Sequence, residues 1–281
     1  MTAPSRFSRR HRVVAGDPPG AADVLARVTG LSKGVVKDAM RKGAVHVGRS
    51  GRSPNRLRRE TATVRPGDVL EIHYDADLLS LRPPEARLVR DAVRWSAWAK
   101  PAGLLSQGTE FGDHASLLRQ VEKLLDRSVF PVHRLDREVE GLVLVAHDAT
   151  AAAALSALLR EAKVVKRYRA EVIGNVEAAH GREGTIEVPV DDKPARTFFR
   201  VDAYDPLRDT TTLDVTIETG RHHQIRRHFD AIGHPVLGDP RYGAGNKNRE
   251  GIRLAAVFLG FQDPFTGKDV ELRLGEAPPA P

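Results

Sequence analysis

The stretch Pro131–Ala146, PVHRLDREVEGLVLVA, decides how the rest of the chain is read. It opens with a proline, a turn signal, and sets His133, Arg134 and Asp136 around one apolar residue, Leu135. It ends in Leu142-Val143-Leu144-Val145-Ala146, a continuous apolar run that predicts a fully buried strand. Gly141 separates the polar half from the strand and lets the backbone bend sharply. A carboxylate and a guanidinium held beside a rigid core element are a common way to build a catalytic edge. Taken alone, an Asp–Arg pair at a strand entry is more often a surface ion pair.

Outward from that stretch, composition bounds the answer. The chain has 281 residues, 41% apolar and 29% charged, the balance of an ordinary soluble globular protein with room for one large or two modest domains. No apolar run approaches the length of a membrane span. The basic N-terminus, MTAPSRFSRRHRVVAG, lacks the apolar segment of a secretory signal and reads as a tail. There is no cysteine, which excludes disulfides, thiol nucleophiles and cysteine–zinc sites and fits a cytoplasmic protein. Charge is asymmetric: residues 1–75 hold 15 Lys and Arg against 7 Asp and Glu, a net of +8, whereas the whole chain nets +7. The excess therefore sits in the first quarter, as expected of a basic module that meets a polyanion, attached to a near-neutral body.

In that basic quarter two short helices are expected between Gly20 and Lys42. Ser32 is a suitable N-cap for the second, which turns Val35, Val36, Ala39 and Met40 inward and Lys33, Lys37, Arg41 and Lys42 largely outward, with Gly43 closing it. A strand at Ala44–Val47, a basic loop from Gly48 to Arg59 and a Pro66-Gly67-Asp68 turn into the strand Val69–Ile72 follow. Cations on one helix face and a neighbouring loop suit phosphate contacts, which position a nucleic acid without reading its sequence. LARVTGLSKGVVKDAMRKGAVHV followed by VRPGDVLEI resembles the alpha-L RNA-binding module of a small-subunit ribosomal protein, except that Gly48-Arg49-Ser50-Gly51 replaces the usual asparagine–glycine turn.

Downstream, a strand at Trp95–Ala99 leads into Lys100-Pro101-Ala102-Gly103-Leu104-Leu105; both tryptophans read as core. Helices are expected at 114–126, at 150–163 and at 221–232, and strands at 168–173, 186–190, 197–201, 213–217, 252–261 and 270–274. On the strand KRYRAEVIG, Tyr168 shares the core face with Ala170 and Val172. The run TGRHHQIRRH offers three histidines, but helical ligand pairs usually sit four apart and His223 and His228 are five apart. With no cysteine and no nearby carboxylate pair, no metal is expected.

The motifs HRLDREVEGLVLVA, KRYRAEVIG, TGRHHQIRRHFDAIGHPVLGDPRYG and KPAGLLSQ, with the late IRLAAVFLGFQDPFTGKDVEL, resemble those of the RluA-type pseudouridine synthases over residues 95–275. The resemblance implies an α+β pseudouridine synthase fold, with a mixed, mainly antiparallel sheet, flanking helices and a central catalytic cleft, beside the small N-terminal module. It implies that Asp136 is the catalytic aspartate, that Tyr168 packs on the target base and that Arg226 pairs with the aspartate, favouring its charged form. Ile225 then lines the base pocket and Arg134 fills the gap left by the flipped uridine, with His133, Lys100, Arg221 and Gln224 as further substrate-binding candidates and Lys33, Lys37, Arg41 and Lys42 as RNA contacts. One departure stands out: Val139-Glu140 occupy the positions where the family usually has Thr-Ser.

The expected organisation is a basic tail (1–15), the alpha-L module (16–75), a linker (76–94), the catalytic domain (95–275) and a disordered tail (276–281). The expected enzyme is a cytoplasmic monomer that acts on RNA, with large-subunit ribosomal RNA favoured and transfer RNA left open, and with no cofactor. Two other readings remain at this level. A glycoside hydrolase would need two carboxylates on opposite sides of the bond, and Glu138 and Glu140 share a loop with Asp136. A non-catalytic RNA-binding protein would use Asp136 structurally.

Overall fold

The computed structural model describes residues 5–49 and 54–275. They fall into two compact units: residues up to Pro83 together with Gln107–Leu125, and Pro84–Ser106 together with the residues from Asp126 on. The short segment 107–125, expected within the catalytic domain, thus clusters with the N-terminal residues.

The smaller unit contains strand β1 (Arg6–Arg12), helices α1 (Ala21–Thr29) and α2 (Lys33–Arg41), strands β2 (Val45–Gly48), β3 (Asn55–Arg56) and β4 (Val69–Asp75), and helices α3 (Ala76–Ser80) and α4 (Leu117–Leu125). Its four strands pair in the order β1-β4-β2-β3. Ser32 caps α2 through the Val35 N–H, and Gly43 follows the helix at a φ of +80°, where a side chain would be strained. Val24, Leu25, Val36, Ala39 and Met40 from the helices pack with Leu70 and Ile72 from β4 into one buried cluster. Two expectations are corrected. The basic tail is strand β1, antiparallel to β4 from Arg6↔Asp75 to Arg12↔Val69, because Phe7 finds Tyr74 at 5.4 Å and the arginines flank an edge that charge keeps from pairing further. The linker carries structure at both ends: α3, capped by Asp75, and a strand of the larger unit. The expectations for residues 50–53 and 276–281 lie outside the described residues.

The larger unit is built on a ten-stranded sheet. Its strands are β5 (Arg87–Asp91), β6 (Trp95–Lys100), β7 (Phe130–Pro131), β8 (Glu140–Ala146), β9 (Val165–Ile173), β10 (Glu183–Ile186), β11 (Thr197–Asp205), β12 (Thr210–Ile217), β13 (Leu254–Gln262) and β14 (Asp269–Arg273). The helices are α5 (Ala149–Arg160), α6 (Val176–His180) and α7 (Gln224–Ala231). The main path runs β10-β11-β12-β9-β13-β8-β6-β5, with β14 on β13 and β7 on β8; every pairing is antiparallel except β13 with β8.

The opening stretch supplies a central strand. β8 is buried on both faces from Gly141 to Ala146, which is why its apolar run does not alternate. Leu142, Leu144 and Ala146 join Trp95, Leu155, Phe261 and Leu272 in the core cluster. The Trp95 indole donates to Asp263, so both tryptophans are interior residues, as expected. Gly141 sits at a φ of +130°, and a Cβ there would come within 2.4 Å of the Ala256 carbonyl. The glycine is therefore what lets β8 lie against β13 just after the Asp136 loop. Among the described residues no helix is long and apolar enough to cross a membrane.

Candidate active site

Loops gather at one face of the large sheet around a cavity of about 190 Å³. Its lining includes Arg134, Asp136 and Val139 from the loop before β8, Tyr168 from β9, Ile217 from β12, Leu254 from β13, and Arg221, His222, His223, Gln224, Ile225 and Arg226 around the start of α7. Seven of the sequence-predicted residues thus meet there: Asp136, Tyr168, Arg226, Arg134, Ile225, Arg221 and Gln224.

The loop carrying Asp136 is tied down from below. Leu135 donates its N–H to the Ser106 hydroxyl (2.9 Å), which donates back to the Leu135 carbonyl (2.7 Å). The Gly103 N–H reaches the Arg137 carbonyl at 2.7 Å. Lys100, 1% exposed, donates its ammonium to the carbonyls of Pro101, Leu104 and Arg137. Burial pulls that amine down to about 8 despite the opposing charges of Glu138, Asp136 and Glu140. Lys100 and His133 were expected to touch substrate, and neither lines the cavity. Lys100 is spent on carbonyls, as a buried cation must be. His133 accepts the Leu144 N–H at Nε2 (3.0 Å), and burial of that ring pushes its pKa to about 4, so it braces the loop against β8 as a neutral acceptor.

Arg226 is 1% exposed and bridges two carboxylates. Its Nε and Nη2 donate to the two oxygens of Asp239 at 2.6 and 2.7 Å, and Nη1 donates to Asp136 Oδ2 at 3.1 Å. Its planar fork lies 5.2 Å from the Tyr242 ring centroid. Burial alone would lower the guanidinium's pKa; the hydrogen bonds and charges of Asp239 and Asp136 outweigh it and hold Arg226 above its ordinary value. Asp239, fully buried, also accepts the N–H groups of Arg241 and Tyr242. Sequence reasoning missed Asp239: it lies in GHPVLGDPRYG, quoted for its resemblance, but nothing in a turn-rich loop says that its carboxylate faces inward.

Tyr168 presents its ring to the same cavity; burial, and then the Asp136 charge, push its hydroxyl's pKa well up, so it remains protonated. Gln224 lines the cavity, but its polar atoms serve the scaffold: Oε1 accepts from Thr219 Oγ1 and the Arg221 N–H, and Nε2 donates to the Arg196 carbonyl and Thr197. It thereby takes up the Arg221 N–H, and the helix begins at Gln224 rather than at residue 221. Val139 is buried and lines the cavity, whereas Glu140 opens β8 with its side chain exposed.

His223 is the other residue at Asp136 that the motif reading passed over. Its Nε2 lies 3.5 Å from Asp136 Oδ2. One ligand atom each from Asp136, His222 and His223 lie within 4.8 Å of one another, a set able to hold a metal ion. The carboxylate that the sequence reading found lacking near these histidines is supplied by Asp136 from a distant loop. Asp136 is also the sole carboxylate among the cavity-lining residues, which argues against the paired-carboxylate geometry of a glycoside hydrolase.

On the smaller unit, Lys33, Arg41 and Lys42 each carry a carboxylate partner: Asp23 at 2.6 Å, Glu60 at 2.8 Å and Asp38 at 2.7 Å. Lys37, with Arg9 and Arg12 on β1, makes no ion pair among the described residues. Three of the four expected RNA contacts are therefore partly neutralised, because acidic residues of α1, α2 and the loop after β3 reach the same helix.

A family model described as RNA pseudouridylate synthase matches residues 94–231. An uncharacterized RNA pseudouridine synthase of Chloroflexus aurantiacus is 31% identical, over 92% of this chain and 87% of its own. A ribosomal large subunit pseudouridine synthase D of Vibrio vulnificus is 35% identical over 71% and 65%, and a tRNA pseudouridine synthase C of Vibrio parahaemolyticus 28% over 69% and 91%. The solved structure of human RNA pseudouridylate synthase domain containing 1 has the same fold, with a TM-score of 0.59 at 22% identity, covering 70% of this chain and 86% of that one. By sequence and by fold the chain belongs to the RluA-type RNA pseudouridine synthases and is an isomerase that acts on RNA.

Proposed function

We propose that the enzyme isomerises specific uridines in large-subunit ribosomal RNA, with Asp136 as its covalent catalyst. The observation that carries the catalytic assignment is the position of Asp136 at the cavity, held at one oxygen by the buried Arg226. The reaction breaks the N1–C1′ bond, turns the base and forms a C5–C1′ bond; the C5 proton leaves and N1 gains one. No atom is added or lost overall. A transient bond to one carboxylate oxygen splits this into easier steps. Tyr168 packs against the turned base, Ile225 lines its pocket and Arg134 fills the space it leaves in the RNA. Extruding the base costs a few kcal/mol, which phosphate contacts by the basic unit, through Lys37 and the arginines of β1, partly offset. The enzyme acts as a monomer.

Ribosomal RNA is favoured because several relatives at 33–35% identity bear the large-subunit name, against 28% for the transfer RNA synthase. The test is pseudouridine mapping on total RNA from a strain lacking the gene, complemented with wild type or with Asp136→Asn. The expected result is one or a few sites lost from large-subunit RNA and restored by the wild type alone. Loss from transfer RNA instead would move the substrate; full restoration by Asp136→Asn would end the catalytic assignment.

A further inference from the structure

His223 stands where a residue of its type is not comfortable. It precedes α7 with a φ of +55°, left-handed backbone that a non-glycine residue adopts at a cost. It is 8% exposed, yet its ring is polar at both ends. Strain at a buried polar residue persists when its surroundings over-determine it, and such residues cluster at working sites.

The surroundings here have a direction. Arg227 donates from Nε to the Tyr242 hydroxyl oxygen at 3.1 Å. Arg227 is a pure donor, so that oxygen accepts, and its own proton is left for His223 Nδ1, also at 3.1 Å. A neutral imidazole that accepts at Nδ1 carries its proton on Nε2. That nitrogen faces Asp136 Oδ2 at 3.5 Å, a distance that tightens readily when substrate closes the site. Arg226 Nη1 donates to the same oxygen. Among the described residues, neither a hydrogen bond nor an ion pair reaches Oδ1.

Resting on the reading of Asp136 as catalyst, we propose that His223 is its positioning residue: locked in one tautomer by Tyr242, it donates Nε2–H to Oδ2 and, together with Arg226, leaves Oδ1 as the oxygen that forms the bond to the substrate. A carboxylate held by one donor can turn about its Cβ–Cγ bond; two donors on one oxygen, from different directions, stop that turn. The titratable and charged groups around the ring are Asp136, His222, Arg226, Arg241 and Tyr242.

The proposal is tested on the full chain labelled with ¹⁵N-histidine. Imidazole spectra should show His223, assigned by its absence in His223→Gln, as the Nε2–H tautomer at about pH 8, where ordinary imidazoles are neutral. In Tyr242→Phe the tautomer should become mixed. A dominant Nδ1–H form at that pH overturns the proposal without touching the assignment of Asp136. The second arm measures single-turnover pseudouridine formation on total RNA from the strain lacking the gene. His223→Leu should slow it by about 10–100-fold at unchanged RNA affinity, as when a partner that orients an acting group is lost. His223→Gln, which keeps an N–H at the same reach, should stay within about threefold of wild type. Equal loss in both variants, or loss in neither, also overturns it. Activity of Asp136→Asn in the same assay would instead strike the reading beneath.

Discussion

Two arginine–aspartate clusters in this protein use the same groups in opposite ratios. In the larger unit one guanidinium, Arg226, serves two carboxylates, Asp136 and Asp239. In the smaller unit two guanidiniums, Arg56 and Arg58, converge on one carboxylate, Asp113. Asp113 has both oxygens taken by Arg58, and Arg56 spends its remaining donors on the carbonyls of Gly43 and Thr109. That cluster ties segment 107–125 to the loop after α2 and leaves no acceptor over. In the other cluster Asp239 is saturated and fully buried, and Asp136, at a cavity, keeps an oxygen without a partner among the described residues. What separates the two is the acceptor left over at a cavity; a cluster with every carboxylate oxygen taken is a fastener.

Breaking the two halves of the Arg226 bridge should give different losses. Asp136→Asn should lower pseudouridine formation by about a thousandfold or more, as removal of a covalent nucleophile does, with a melting temperature close to wild type. Asp239→Ala should do the reverse in kind. It strands a buried guanidinium and should cost about 3–5 kcal/mol of stability in urea unfolding. If Asp239→Ala unfolds like wild type, the saturated half of the bridge is not what fixes Arg226.

A third prediction concerns the backbone under Asp136. His133 is held near pKa 4, below its unfolded value of 6.5, so the unfolded chain binds the extra proton first. Stability is then intact above pH 6.5 and lost as pH falls toward 4, by up to about 3 kcal/mol at 1.4 kcal/mol per unit. His133→Gln keeps an acceptor for Leu144 but cannot titrate, and should flatten unfolding free energy across that window. An unchanged acid slope would mean that another group carries it. The smallest effect belongs to the small unit's surface. Lys37→Ala should reduce the slope of log affinity for RNA against log salt by about 0.7–0.9, one phosphate contact. Lys33→Ala, already neutralised by Asp23, should change it less. Equal changes would show that the Asp23 pair opens on RNA.

Much of this architecture is legible along the chain, because its signals are local. The buried strand after Gly141, the Ser32 cap, the core face of Tyr168 and the amphipathic helices follow from periodicity and from hydrogen bonds within a few residues. The motifs bring Asp136, Tyr168 and Arg226 together on resemblance, and the structure places them around one cavity. What the chain does not show is direction. Lys100 and His133 sit in the right motifs and turn away from the cavity, because a buried amine needs carbonyls and a buried ring needs one N–H donor. Asp239, His223 and Tyr242 read as a loop aspartate, one histidine among three and a loop tyrosine. Only the tertiary fold points Asp239 at Arg226, His223 at Asp136 and the Tyr242 hydroxyl at His223, since the partners come from segments far apart in the chain. Residue types determined which chemistry is available in this chain; the packing of distant loops decided which oxygen of Asp136 is left without a partner among the described residues.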